Sequence, residues 1–168
     1  MKKPFLFLWI GLLALAGCKV SLNGTSIPPN MKTVNVLVFE NNAPLVVPYL
    51  STQFTEDLKT RIRNQTKLSI TTNDPQGVFS GNIMEYDIKP VAIQDNNAPT
   101  AGANRLTIRI AVKYINNLDP KQSFEESFSG YKDFKLSGGS LQSLEPGLIK
   151  DVTAQLTEDI FNKAFAQW

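Results

Sequence analysis

The stretch NRLTIRIAVKYIN, residues 104–116, decides the fold. Its apolar residues occupy every second position: Leu106, Ile108, Ile110, Val112 and Tyr114. The positions between them are mostly polar or basic. Alternation with a period of two is typical of a β-strand that has one face in the core and one face outside it. The sequence therefore predicts a half-buried strand here, with neighbouring strands on either side of it in the chain.

The flanking segments predict a sheet around this strand. Residues 117–120 form a turn, and residues 122–134 are rich in aromatic side chains, so the two strands should form an antiparallel hairpin. Upstream, residues 78–89 predict a longer strand whose alternation changes phase, and a bulge near Met84 would bring both halves onto one face. Residues 90–103 contain prolines and glycine and predict a loop.

Two segments have the four-residue spacing of helices. In residues 48–64 the apolar positions are Leu50, Phe54, Leu58 and Ile62. After the glycine-rich loop at residues 137–140 they are Leu144, Leu148, Val152, Leu156 and Ile160. Apolar residues at this spacing lie on one side of a helix, which must pack against the sheet.

The order of the elements predicts an α+β fold. Residues 33–40 are expected to be a central strand with both faces covered, Val34, Val36 and Val38 on one face and Leu37 and Phe39 on the other. Residues 67–72 predict a short strand. The resulting order, β-α-β-β-β-β-α, predicts a two-layer sandwich: a mixed sheet of four to five strands with two helices on one face. The other face of the sheet is then free to meet a partner.

The amino terminus has the layout of a lipoprotein signal. Lys2 and Lys3 precede an apolar run that ends in LAGC, residues 15–18, which holds the only cysteine. The apolar run is too short to span a bilayer, which needs about 20 residues. We therefore expect residues 1–17 to be removed, Cys18 to be lipidated, residues 18–30 to form a tether, and residues 31–168 to form one domain. Lys19 follows the cysteine, where aspartate would favour the inner membrane, so we expect the periplasmic side of the outer membrane.

Composition restricts the possible functions. The mature chain would carry 17 − 2 = 15 basic residues and 15 acidic residues, which argues against non-specific nucleic-acid binding. The sequence contains no histidine, so the usual nucleophilic triads and zinc sites cannot form. Ser129 and Lys132 match a Ser-x-x-Lys spacing, but they fall within a predicted strand. We therefore expect no enzyme activity and no cofactor.

A basic stripe is the candidate binding surface. Arg105, Arg109 and Lys113 share the outer face of the strand at residues 104–116. Like charges on one face repel unless a partner offsets them, so these residues could bind a phosphorylated ligand such as lipopolysaccharide, or a protein partner. The alternative is a solvated face that Glu125 of the adjacent strand balances.

Several phrases resemble the LptE family of lipopolysaccharide-assembly lipoproteins, in a divergent, non-proteobacterial form. They are LAGC at residues 15–18, GTSIPP at 24–29, VNVLVF at 34–39, PYL at 48–50, FSGNI at 79–83, YDIKP at 86–90 and EDIFNKA at 158–164. The resemblance spans almost the whole mature chain.

The resemblance implies a non-catalytic outer-membrane lipoprotein that assembles with and plugs the β-barrel protein LptD. Together such proteins insert lipopolysaccharide into the outer leaflet, and two helices on a sheet is the fold that the family implies. The alternative is a periplasmic adaptor lipoprotein that activates a peptidoglycan synthase or serves a secretion channel.

Overall fold

The computed structural model describes residues 27–95, 98–136 and 140–166. The expected signal, Cys18 and tether residues 18–26 lie outside these ranges, so the structure describes only the end of the tether. The predicted loop at residues 137–140 is described only at Ser140, whose hydroxyl accepts a hydrogen bond from the Ser143 N–H at 3.3 Å and begins the last helix.

The described chain forms a mixed sheet and two long helices. The elements, in chain order, are β1 (Thr33–Val36), β2 (Glu40–Asn41), α1 (Leu50–Gln65), β3 (Ser69–Ile70), β4 (Gly77–Asp95), β5 (Ala98–Asn116), a 3-10 turn (Pro120–Gln122), β6 (Phe124–Lys135) and α2 (Leu141–Phe165). The sheet has six strands in the order β3-β1-β4-β5-β6, and β2 pairs with β4 beyond β1. The pairs among β4, β5 and β6 are antiparallel, and the others are parallel. The predicted α+β class is confirmed.

A bulge in β4 keeps its two halves on the same face. The pairing with β5 shifts by one residue between Ile83 and Glu85, which leaves Met84 as the extra residue. Phe79 and Ile83 before the bulge are buried, and so is Tyr86 after it. A one-residue shift without a bulge would turn the second half outward. The predicted bulge near Met84 is confirmed.

Both helices pack on the buried face of the sheet and on each other. Leu50, Phe54, Leu58 and Ile62 of α1 are fully buried, as predicted. In α2 the buried side begins at Ile149 and includes Val152, Leu156 and Ile160, whereas Leu144 is exposed.

The last helix lies close to β6 because β6 has a glycine at the contact. A Cβ added to Gly130 would lie 3.1 Å from Leu156 Cγ and from Val152 Cγ1. Phe165 at the end of the helix packs edge-on against Phe79, with ring centroids 5.8 Å apart. The helix is therefore held on the sheet between Val152 and Phe165, and its contact with β5 and β6 closes the core.

The prediction of one continuous strand at residues 33–40 was wrong. The strand is interrupted between β1 and β2 because α1 side chains bind the backbone of Phe39: the Thr55 hydroxyl accepts from its N–H at 3.1 Å, and the Ser51 hydroxyl donates to its carbonyl at 2.5 Å. The irregular step leaves Phe39 buried, while Leu37 is 46% and Val38 65% exposed. The sheet consequently has six strands instead of four to five.

The prediction of a loop at residues 90–103 was also wrong. β4 continues to Asp95 and β5 begins at Ala98, so most of the segment belongs to a long hairpin. Beyond Ile83, β5 is the only neighbour of β4 in the described part of the chain. An edge strand tolerates proline because no second neighbour requires its N–H, which explains Pro90.

The two ends of the sheet are distinguished by the strands that begin or finish there. β1 starts beside Gly77 at the beginning of β4, so the chain enters the domain at the end of the sheet opposite the β4–β5 turn. We call the end at Thr33 and Gly77 the tether end, and the end at Asp95 and Ala98 the far end. β4 has 19 residues, so the far end lies about 60 Å from the tether end at roughly 3.3 Å per residue.

Glycine at position 81 is required by close packing, and this generates a stability prediction. A Cβ there would lie 2.0 Å from the Ala111 carbonyl oxygen on the neighbouring strand. We expect Gly81→Ala to lower the free energy of unfolding by about 3 kcal/mol, because a backbone atom cannot move aside without breaking the ladder.

The matched control is Gly147→Ala in α2, where an added Cβ meets nothing within 4 Å. It should raise stability by about 0.5–1 kcal/mol, since alanine is the better helix residue. Urea unfolding followed by circular dichroism measures both changes. Equal stability of the two variants would contradict the close approach at Gly81.

Candidate functional site

The outward face of the sheet, formed by side chains of β4, β5 and β6 that point away from the helices, carries the predicted basic stripe. Arg105, Arg109 and Lys113 all lie on this outward face. The strand register places a carboxylate directly opposite each cation, in the pairs Arg105–Asp133, Arg109–Glu85 and Lys113–Glu125. Opposite charges in directly facing positions stabilise a sheet. The three cations therefore do not stand alone, and each is neutralised by a neighbouring strand.

Arg105 has the most ordered surroundings of the three. Its Nε and a terminal guanidinium nitrogen donate to the two oxygens of Asp133 at 2.6 and 2.9 Å. Its guanidinium carbon lies 4.0 Å from the centre of the Tyr131 ring. The two hydrogen bonds from Arg105 hold the pKa of the Asp133 carboxyl below its usual range. Planar arginine suits both contacts at once, which fixes the direction of the side chain.

The other two pairs differ in exposure. Arg109 donates to Glu85, which is the first residue after the bulge. The Lys113 ammonium lies 3.3 Å from a Glu125 oxygen, and both side chains are more than half exposed. An exposed pair of this kind contributes little to stability. Lys113 is therefore the cation of the stripe that can change partner most easily.

The sequence predicted one of the three acidic partners. Glu125 was proposed as the balance for the stripe, and it pairs with Lys113. In an antiparallel pair, moving eight residues back from Lys113 to Arg105 moves eight forward from Glu125, which leads to Asp133. That partner could have been found from the register alone. Glu85 could not, because its position opposite Arg109 depends on which residue of β4 forms the bulge.

A shallow depression of about 380 Å³ adjoins the stripe at Lys113 and Glu125. The exposed side chains of Leu37 and Val38 lie along one side of it, and Gly81 and Ala111 are among its lining residues. The depression combines an apolar edge with an ion pair. The depression could therefore hold an amphipathic group, with its apolar part against Leu37 and Val38 and its charged part at the ion pair.

The arrangement supports binding more readily than catalysis. Ser129 pairs with Arg109 on the outward face, whereas Lys132 forms an ion pair with Asp151 of α2, so the Ser-x-x-Lys residues are not brought together. Within residues 27–95, 98–136 and 140–166, no cluster of three or more possible metal ligands occurs. An anionic ligand at the stripe would have to replace a carboxylate.

Comparison with known families decides the relationship. The sequence model of the family described as LptE, lipopolysaccharide-assembly, matches residues 31–164. The chain belongs to the LptE family. This confirms the resemblance, and it makes the protein a lipoprotein of the lipopolysaccharide-assembly family. The family is one of non-catalytic lipoproteins.

Solved structures share the fold. A hypothetical protein from Chlamydia trachomatis superposes with a TM-score of 0.57 at 10% identity, over 82% of this chain and 99% of that one. A minor lipoprotein from Acinetobacter baumannii gives 0.51 at 11% identity, over 79% and 91% of the two chains. No curated protein sequence matches the chain. In the part of the chain that the structure describes, we find no helix with the length and hydropathy of a membrane span.

The Arg105–Asp133 pair predicts a measurable titration. The Asp133 carboxyl should titrate below the usual aspartate range, and Arg105→Gln should return its pKa to that range because both hydrogen bonds are lost. The pair then stabilises the fold above the ordinary aspartate pKa, and this contribution is lost as the pH falls through the lowered value. Carbon-detected NMR titration of the carboxyl measures it. An unchanged Asp133 pKa in the variant would show that Arg105 is not the cause.

Proposed function

We propose that this protein is an outer-membrane lipoprotein that assembles with an LptD-type β-barrel, plugs it, and takes part in inserting lipopolysaccharide into the outer leaflet, without enzyme activity. The family match over residues 31–164 carries the proposal, because it covers the complete domain of sheet and helices. The membership supports lipopolysaccharide assembly, and the barrel partner is the further step that we propose.

The proposed anchor is a lipidated Cys18, after removal of residues 1–17. Acyl chains contribute about 0.8 kcal/mol for each buried CH₂, so a lipoprotein with three chains stays on its membrane. Lys19 after the cysteine favours the outer membrane, on its periplasmic side. The anchor precedes the tether end of the domain, so the far end is free to extend away from the site of attachment.

The shape and surface chemistry of the domain suit a barrel lumen. The apolar band of an outer-membrane barrel is about 25 Å tall and its interior is polar. The β4–β5 hairpin, at about 60 Å by strand geometry, is longer than this band. The outward face presents the three ion pairs described above, together with the exposed ring of Tyr131 and, beside the depression, Leu37 and Val38. A long sheet whose outward face carries rows of ion pairs can lie in a wet lumen.

Lipopolysaccharide carries phosphates on an acylated sugar, and the stripe of Arg105, Arg109 and Lys113 is the surface that we propose for contact with it. Phosphate accepts charge-assisted hydrogen bonds from guanidinium groups in the same forked geometry as a carboxylate. Phosphate oxygens can therefore replace those of Asp133 or Glu85 without a change in the position of the arginine. The neighbouring depression, with Leu37 and Val38 beside it, offers apolar contact for an acyl chain.

Co-purification tests the barrel partnership. We expect an affinity-tagged form of this lipoprotein, extracted from envelopes in a mild detergent, to retain a large outer-membrane β-barrel protein. The control is a fusion in which residues 1–30 precede an unrelated soluble domain, since it has the same signal and anchor but lacks the LptE-like domain.

Mass spectrometry identifies what each bait retains. Capture of the barrel by the full chain and not by the control assigns the contact to the domain. Failure of the full chain to retain a barrel protein contradicts the proposal. Retention of a peptidoglycan synthase in its place would support the adaptor alternative.

Charge reversal tests the lipopolysaccharide contact. Arg105→Glu with Arg109→Glu should weaken binding of purified lipopolysaccharide at least about 25-fold, because two charge-assisted contacts of about 1 kcal/mol or more are replaced by repulsion. The matched control is Lys132→Glu with Lys163→Glu, which makes the same change in net charge and also breaks two surface ion pairs. Equal binding by both double variants would remove the assignment of the stripe.

A further inference from the structure

The cations of the described domain fall into two groups. Eight of them form ion pairs, one in each of the eight salt bridges of the described residues. The remaining cations have no carboxylate oxygen of a described residue within 4.0 Å: Lys32, Arg63, Lys67, Lys121, Lys135 and Lys150. The second group is exposed to solvent, so these side chains can meet an external anion without breaking an internal bond.

Four of the unpaired cations gather at the tether end. The parallel register of Thr33 with Ser69 brings Lys32 beside the start of β3, where Lys67 is also found. Both lysines line a depression of about 550 Å³ together with Ile27 and Pro28, which are among the first described residues. Arg63 lies in the last turn of α1, just before this depression.

Lys121 is tied to the same end through Gln76. The Gln76 carbonyl accepts a hydrogen bond from the Asn117 N–H at 2.8 Å, and its side-chain oxygen accepts from the Lys32 N–H at 2.6 Å. The turn that carries Lys121 is thereby joined to β1. We call Lys32, Arg63, Lys67 and Lys121 the tether-end cations.

The acidic residues nearby do not neutralise this group. Asp119 accepts hydrogen bonds from the Lys121 N–H and the Gln122 side-chain amide, both at 3.2 Å. Both of its carboxylate oxygens are therefore hydrogen-bonded within the turn. Asp74 lies in the exposed turn before β4. Glu56 is also close enough to Arg63 for the cation to lower the pKa of its carboxyl, but this carboxylate already pairs with Lys59. The four cations therefore keep an excess of positive charge at this end, although the mature chain as a whole has 15 of each sign.

The position of the proposed anchor determines which surface lies next to the tether-end cations. Nine Cα-to-Cα steps lead from Cys18 to Ile27, since 27 − 18 = 9. Even a fully extended chain of this length reaches only about 30 Å. The far end of β4 lies about 60 Å farther along the sheet. A domain held on this tether therefore has its tether end close to the headgroups.

We infer that the tether-end cations contact the anionic phospholipid headgroups of the leaflet that holds the anchor, and that, before the domain meets a barrel, this contact stands it upright with its far end directed away from that leaflet. The inference rests on the proposed lipid anchor at Cys18. Each lysine or arginine near an anionic membrane surface increases the population in contact about fivefold. The tether keeps the domain at the surface, so a small number of such contacts is sufficient to orient it.

Energy transfer on vesicles tests the orientation. The mature lipoprotein carries a fluorophore at Thr72→Cys, beside the exposed turn at the tether end, and the acceptor is a labelled lipid. Cys18 is the only natural cysteine and is acylated in the proposed form, so the introduced thiol is labelled alone. We expect more transfer on vesicles of phosphatidylcholine mixed with phosphatidylglycerol than on phosphatidylcholine alone. Raised salt should abolish the difference because it screens exposed charges.

Two double variants with the same change in net charge distinguish an effect of the tether-end cations from an effect of net charge. Lys32→Gln with Lys67→Gln should lower the ratio of contacting to free domains about 25-fold, and Lys135→Gln with Lys150→Gln should leave it unchanged. The second pair is also exposed and unpaired in the described residues, but it lies on β6 and α2.

The outcomes distinguish this inference from the proposed function. Equal transfer on both kinds of vesicle, or equal loss in both double variants, would overturn the headgroup contact. Flotation with phosphatidylcholine vesicles reports the anchor alone, so failure to float contradicts the lipoprotein proposal instead. Retention of the barrel protein is measured separately, with the unaltered chain.

Discussion

The extra residue at Met84 is the constraint on which the rest of the structure depends. Among the described strands, β4 alone pairs with both the parallel part of the sheet and the antiparallel strand β5. Its first half must present Phe79 and Ile83 to the helices, and its second half must present Tyr86 to the same side. The bulge makes both possible in one strand. Without it, the second half of β4 would turn its apolar side chains toward solvent and its charged ones into the core.

The bulge also determines the chemistry of the outward face. By shifting the register, it places Glu85 opposite Arg109, in line with the pairs at Arg105 and Lys113. The result is a face whose charges are matched row by row. On such a face an external anion reaches a cation only by displacing a carboxylate of the neighbouring strand. The cations that have no carboxylate partner in the described residues lie elsewhere, and four of the six are at the tether end.

The sequence predicted the elements whose cause is local or periodic. Strict alternation at residues 104–116 and the four-residue spacing of Leu50, Phe54, Leu58 and Ile62 led to the correct elements, because one residue's burial follows from the period. The interruption at Phe39 escaped prediction since it depends on Ser51 and Thr55 of a later helix. The hairpin arms around Pro90 were missed because proline signals a loop in most sequences and is tolerated only at an edge strand. At the site, Glu85 was missed for a related reason: its partner is set by the position of a bulge.

The parallel pairing of β1 with β4 has a mechanical consequence. A pull from a membrane anchor would enter the domain at the start of β1, while a partner that grips the hairpin would resist along β4. The two strands run in the same direction and are joined by backbone hydrogen bonds across Val34, Asn35 and Val36. Tension along this line loads those bonds together, in shear, instead of opening them one after another. A force applied along the strands between the start of β1 and the far end of β4 would therefore not first unzip the sheet.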